Sequence, residues 1–192
     1  MEAKNVAVLG GGSFGTVIAS IIAQNGHNTL LWMRDADQVE SLNRDRENST
    51  YHPGFTLHDK INATDNLELA VAEADMVFVA VPSSGFRQVV RKVQPFVKEG
   101  VILVSLTKGI EAKTFKLMSQ ILTEEVPSAK VAVVSGPNLA AEIANSSPTG
   151  TVVASIDAEV RKTVQKTLRS LTFRVYANDD MFGVELGGSL KN

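Results

Sequence analysis

Asn5-Val6-Ala7-Val8-Leu9-Gly10-Gly11-Gly12-Ser13-Phe14-Gly15 runs a short apolar segment into Gly10-x-Gly12-x-x-Gly15 and then into the helix-like stretch Thr16 to Gln24. Each glycine has a reason. Gly10 permits a tight turn, Gly12 lets the backbone approach a diphosphate, and Gly15 lets helix and strand pack closely. The helix start adds free N–H groups and the positive end of the helix dipole, so the segment reads as a dinucleotide-binding turn. Its context agrees. Val6 to Leu9 is continuously apolar, as a strand buried on both faces should be, and the helix carries Val17, Ile18, Ile21 and Ile22 on one face. Gly26 stops it and Thr29 to Met33 begins a second strand, completing a βαβ unit of ~30 residues.

Gly11-Gly12-Ser13-Phe14-Gly15 also satisfies G-x-S-x-G, the nucleophile elbow of hydrolases. An elbow needs an acid and then a histidine later in the chain. The only histidines are His27, His52 and His58, all in the first third, which disfavours that chemistry. They are too scattered for a metal site, and solvated loop positions are expected for His52 and His58.

The 192 residues are 44% hydrophobic and 21% charged, the balance of a globular protein with a sizeable core. Net charge is −2 with the signs interleaved, so no footprint for nucleic acid or an anionic membrane stands out. Cysteine is absent, which excludes disulfides and thiolate chemistry and is compatible with a reducing compartment such as the cytoplasm. Neither a signal peptide nor an apolar run of the ~20 residues needed to span a bilayer is visible.

Downstream, a helix is expected from Asp35 to Arg46 with Asp35 or Asp37 as its cap, then turn chemistry at Tyr51-His52-Pro53-Gly54 and a short strand near Phe55 to Ile61. Leu67 to Ala74 reads as helix and Met76 to Val81 as a buried strand. Phe86 to Val97 reads as an amphipathic helix with Val89, Val90, Val93 and Phe96 or Val97 inward. Strands follow at Val101 to Leu106, Lys130 to Val134, Thr151 to Ile156 and Phe173 to Tyr176, with a helix at Val160 to Leu171. The alternation implies an α/β, doubly wound, Rossmann-type fold whose mostly parallel sheet has helices on both faces. Met181 to Asn192 looks like the opening turns of a helix, with Gly187-Gly188 where close packing is needed.

Ligands of such sheets bind beyond the carboxyl ends of the strands. Those positions hold Gly10 to Gly15, Arg34, Pro82-Ser83-Ser84, Thr107-Lys108-Gly109 and Ser135-Gly136-Pro137-Asn138, a set of small polar residues, glycines and cations. Arg34 follows the second strand, where a guanidinium can pair with the 2′-phosphate of NADP(H), or can be a solvated surface charge. Lys108, directly after a buried strand, is placed to face the crevice, where desolvation would ease proton donation; pairing with a nearby acid is the structural alternative.

Six motifs in order carry a resemblance: Gly10 to Gly15, Leu31-Trp32-Met33-Arg34, Val81-Pro82-Ser83, Thr107-Lys108-Gly109-Ile110-Glu111, Ser135-Gly136-Pro137-Asn138-Leu139-Ala140, and Gly183 to Asn192. Over its whole length the chain resembles the N-terminal part of bacterial NAD(P)-dependent glycerol-3-phosphate dehydrogenase. The resemblance implies hydride transfer between NADP(H) or NAD(H) and dihydroxyacetone phosphate, giving sn-glycerol 3-phosphate for phospholipid synthesis. It implies that Gly10, Gly12, Ser13, Phe14, Gly15, Arg34, Pro82 and Lys108 lie at the coenzyme, with Ala140 near its nicotinamide end. Lys108, Gly136, Asn138, Lys191 and Asn192 would border the substrate, and Lys191 matches the family's proton-transferring lysine, with Lys108 as its catalytic companion.

Two departures are visible. Asn138 stands where the family has Thr or Ser, and the family's helical C-terminal domain, which holds glycerol and phosphate, has no counterpart. The expectation is a coenzyme domain over 1–192, with 180–192 leading toward an absent substrate domain, little turnover alone, and association into a homodimer. Reductases of β-hydroxy acids or ketopantoate share the glycine loop but not the Thr107-Lys108-Gly109 and Lys191-Asn192 elements. A nucleotide-sensing module would bind coenzyme with no role for either lysine.

Overall fold

In the computed structural model, which describes residues 3–190, the apolar run becomes β1 (Asn5–Leu9) and the stretch after the glycines becomes α1 (Ser13–Gln24). Successive β1 side chains alternate between faces. Val6 and Val8 join one apolar cluster with α1, while Ala7 and Leu9 join another on the opposite side. Val17, Ile18, Ile21 and Ile22 are all buried, as the helical spacing predicts. Each such side chain removed from water contributes about 1.5–3 kcal/mol.

The chain continues through β2 (Asn28–Trp32), α2 (Ala36–Asp45), β3 (Ile61–Thr64), α3 (Leu67–Val71), β4 (Met76–Val79) and α4 (Ser83–Val93). It goes on through β5 (Ile102–Ser105), α5 (Met118–Glu125), β6 (Lys130–Ser135), α6 (Ala140–Ala144), β7 (Thr149–Ala154), α7 (Ala158–Leu168), β8 (Phe173–Asn178) and α8 (Met181–Leu190). One eight-stranded sheet runs in the order β3-β2-β1-β4-β5-β6-β7-β8. The residues of α1, α2 and α7 fill one face and those of α3, α4 and α5 the other, so the doubly wound, Rossmann-type expectation holds.

Several local expectations shift. The strand expected near Phe55 to Ile61 begins only at Ile61; the segment before it is turns, with Thr56 bridging to Glu47. The helix over Phe86 to Val97 starts earlier, at Ser83, and ends at Val93, because Pro95 has no N–H to donate and the chain tightens into a 3₁₀ turn at Gln94–Phe96. Of the pair Phe96 or Val97, Phe96 is exposed and Val97 packs partly buried against the core.

The larger difference is direction. Strands β1 to β6 are parallel, but β7 pairs antiparallel to β6, and β8 then pairs parallel to β7. A parallel return needs a crossover of a dozen or more residues that traverses the sheet. Here the connection, residues 136–148, is long enough for one, but its helix is the five-residue α6, too short to traverse the sheet, and the chain re-enters at the end where β6 left. As a consequence β8 ends far from the carboxyl ends of β1 to β6, and α8 runs back toward them, packing on β6 and β7.

Candidate active site

A crevice of about 890 Å³ opens at the carboxyl ends of β1, β2, β4 and β5. It is lined by Gly10, Gly12, Ser13, Phe14, Gly15, Arg34, Pro82 and Lys108 among others, so eight of the expected positions share one hollow. Gly10 has φ +118°, a left-handed conformation that favours glycine, and a Cβ there would stand 2.7 Å from the Ala80 carbonyl oxygen. A Cβ on Gly15 would lie 1.9 Å from the Gly10 carbonyl oxygen, whereas one on Gly12 would meet nothing within 4 Å. The loop thus closes tightly on itself at its two ends and leaves open room at its middle, the shape needed for a diphosphate to approach the backbone.

Helices α1 and α4 both start at this crevice. Neither has a side-chain cap or an acid in its first turn. Their terminal N–H groups and positive dipole ends therefore face the hollow without a carboxylate competing for them. The lining cations are Arg34, Lys92 and Lys108, against Asp35 as the acid. Asp35 is engaged elsewhere: its Oδ1 accepts from the N–H groups of Asp37 and Gln38 at 3.0 and 3.2 Å, capping α2 as expected. Arg34 is exposed and has no hydrogen bond or ion pair among the described residues, which leaves its guanidinium available to an anion.

Lys108 donates from Nζ to the Gly136 carbonyl at 2.9 Å, bringing the ends of β5 and β6 together. It is an exposed residue, so the burial expected around it is not provided by the described residues. The adjoining Gly109 (φ +133°) receives the tip of α8: its N–H donates to Ser189 Oγ at 3.0 Å. Gly188 lies so close to β6 that a Cβ on it would be 2.1 Å from Ser135 Oγ, whereas one on Gly187 would meet nothing within 4 Å, so the close packing expected of the glycine pair is found at Gly188 alone. Asn138 and Ala140 lie outside the crevice lining. The Asn138 amide is committed to β7, donating to the Gly150 carbonyl at 2.8 Å and accepting from Thr151 Oγ1 at 2.9 Å, and Ala140 opens α6. Lys191 and Asn192 fall outside the described residues.

Three supports escape a reading of the sequence. Arg87 on α4 grips the Glu111 carboxylate with two N–H donors at 2.8 Å each and also pairs with Glu125 of α5, pinning the loop that follows Lys108. Glu185, 3% exposed, accepts from the Ser119 N–H at 3.0 Å and from the Ser119 hydroxyl, seating α8 on the first turn of α5; burial pushes its carboxyl up. A lone acid in an otherwise apolar, glycine-bearing helix was the available signal for that residue. The third is a strap over the glycine loop, in which His52 is 7% exposed instead of solvated.

The Arg87 contact holds the Glu111 carboxyl well below its usual 4.5, at about 2. The stability it contributes is fully present above 4.5 and is lost as pH falls through about 2. Glu111→Gln is expected to flatten the pH dependence of the unfolding midpoint across that window. An acid limb as steep as that of the unsubstituted chain would refute the assignment.

Residues 5–161 match the model of a family described as NAD-dependent glycerol-3-phosphate dehydrogenase N-terminus. The chain is 53% identical over 187 residues to the glycerol-3-phosphate dehydrogenase (NAD(P)+) of Teredinibacter turnerae, covering 97% of this chain and 55% of that protein. It is 50% identical over 191 residues to the enzyme of the same name from Alcanivorax borkumensis, covering 100% and 56%. The crystal structure of glycerol-3-phosphate dehydrogenase from Coxiella burnetii superposes with a TM-score of 0.93 at 32% identity, over 98% of this chain and 58% of that one. The chain thus spans about half the length of the curated relatives it matches.

Proposed function

The chain belongs to the NAD-dependent glycerol-3-phosphate dehydrogenase family, whose N-terminal region it matches, and from that premise we propose that it forms the coenzyme half of an enzyme interconverting dihydroxyacetone phosphate and sn-glycerol 3-phosphate. One observation carries the reading: the open glycine loop and the uncapped start of α1 share a crevice with Lys108. Gly10, Gly12, Ser13, Phe14 and Gly15 would hold the diphosphate, Arg34 the adenosine end, and Pro82 and Lys108 the nicotinamide end. The reduced nicotinamide, when bound, supplies the hydride. The ammonium groups of Lys191 and Lys108 would then stabilise the alkoxide oxygen left on the former ketone carbon and hold a proton near it. Gly136 would line the substrate's side of Lys108, and Lys191 and Asn192 would complete that side. Ala140 is assigned to the nicotinamide end on the family resemblance alone.

The relatives' greater length supports a second, helical domain that holds the glycerol and phosphate, toward which 180–192 lead. A homodimer working in the cytoplasm is the expected setting; no helix among the described residues is long and apolar enough to cross a membrane. Fluorescence titration is expected to show saturable NADPH binding by the chain, with little dihydroxyacetone phosphate reduction. Lack of NADPH binding would overturn the coenzyme assignment, and brisk turnover by the chain alone would overturn the division of labour.

Arg34→Ala is expected to weaken NADPH about tenfold while changing NADH little, since an exposed guanidinium–phosphate contact lies near the lower end of charged hydrogen bonds. Comparison of the two dissociation constants checks this. Equal effects on both coenzymes would remove Arg34 from the 2′-phosphate.

A further inference from the structure

The glycine loop is held from behind by residues 47–57. Asn48, 4% exposed, donates from Nδ2 to the Gly11 carbonyl at 2.9 Å and to Thr16 Oγ1 at 2.8 Å. Because the peptide is trans, fixing the Gly11 carbonyl toward the strap turns the Gly12 N–H the other way. His52 makes the second anchor. Its Nε2 lies 2.9 Å from the Ser13 carbonyl oxygen and 3.0 Å from Ser13 Oγ, and its ring packs edge-on against Phe55.

A carbonyl oxygen can only accept, so the first contact requires the hydrogen on Nε2 and fixes the tautomer. That same N–H can meet Ser13 Oγ only as an acceptor. The Ser13 hydroxyl hydrogen is therefore left to donate elsewhere, and it has no acceptor among the described residues. Ser13 lines the crevice at the first residue of α1, where an anion is favoured.

We propose that His52 is a positioning residue for coenzyme binding: by donating from Nε2 to Ser13 it keeps the Ser13 hydroxyl as a hydrogen-bond donor to a phosphate oxygen of the coenzyme's diphosphate. The inference rests on the crevice taking a dinucleotide, as proposed above.

The test is NADPH titration of the 192-residue chain and of Ser13→Ala, His52→Leu, His52→Gln and the double variant His52→Leu/Ser13→Ala. Removing a donor to a charged phosphate is expected to weaken NADPH about tenfold in Ser13→Ala. His52→Leu should lose a comparable factor in the Ser13 background and nothing further in the Ser13→Ala background, because it acts through that hydroxyl. His52→Gln, which keeps an N–H donor, should recover most of the affinity. Adenosine 2′-monophosphate, which has no diphosphate, should bind all of them equally.

An equal loss for His52→Leu in both backgrounds, or no loss, would overturn the inference while leaving NADPH binding in place. Failure of the unsubstituted chain to bind NADPH would instead remove the reading beneath it, and the inference with it. Imidazole nitrogen NMR shifts give a check that needs no variant: at a pH where the ring is neutral, the hydrogen is expected on Nε2, and a hydrogen on Nδ1 would refute the proposal even if His52→Leu fails to fold.

Discussion

Gly15→Ala is expected to destabilise the chain by about 3 kcal/mol or more, while Gly12→Ala leaves its stability nearly unchanged and sharply weakens coenzyme binding. The two glycines are three residues apart in one loop, yet they serve different ends. A methyl group on Gly15 would sit 1.9 Å from the Gly10 carbonyl oxygen, a backbone atom that cannot swing aside, so the loop or α1 must move. Against a net stability of about 5–15 kcal/mol, that is a large fraction. On Gly12 the same methyl meets nothing within 4 Å and projects into the room a diphosphate would use. Displacing that anion forfeits its N–H contacts, each worth about 1.5–3 kcal/mol, so affinity should fall by roughly a hundredfold or more. Denaturant midpoints and NADPH titrations separate the two outcomes. Equal stability loss at both positions would show that the loop's middle is as closed as its ends.

Lys108→Ala, in the two-domain enzyme proposed above, is expected to lower kcat/KM by about 10²–10⁴, the range for a general acid, with a much smaller change in coenzyme affinity. Lys108→Arg should recover little, since a guanidinium keeps the charge but does not give up a proton. Steady-state assays with dihydroxyacetone phosphate read this directly. Activity within about threefold of the unsubstituted enzyme would leave the lysine a purely structural link between β5 and Gly136.

The opening unit was legible because its information is local. A fully apolar strand, three glycines at fixed offsets and a helical stripe from Val17 to Ile22 each constrain neighbouring residues only. Asp35 could be read as a cap for the same reason. What escaped the sequence is non-local. Nothing in residues 136–148 announces that β7 reverses direction, since a short apolar strand reads alike both ways. His52 and Asn48 look like ordinary turn residues until the strap brings them to Ser13 and Gly11, which precede them by more than thirty positions. Arg87 and Glu111 find each other across 24 positions. Asn138, which the family resemblance sets at the substrate, has its amide engaged by Gly150 and Thr151, and no local signal shows that the reversal of β7 brings those two beside it.

That reversal also governs how distant parts of the chain reach the chemistry. The polypeptide turns at Asp179-Asp180, on the edge of the sheet remote from the crevice, and travels back about 15 Å as a single rod whose tip touches Gly109. Glu185 is the fulcrum midway along it. The turn at Asp179-Asp180 is thus joined to the neighbourhood of Lys108 by one short helix, so separation from the crevice along the sheet overstates how far that turn is from it.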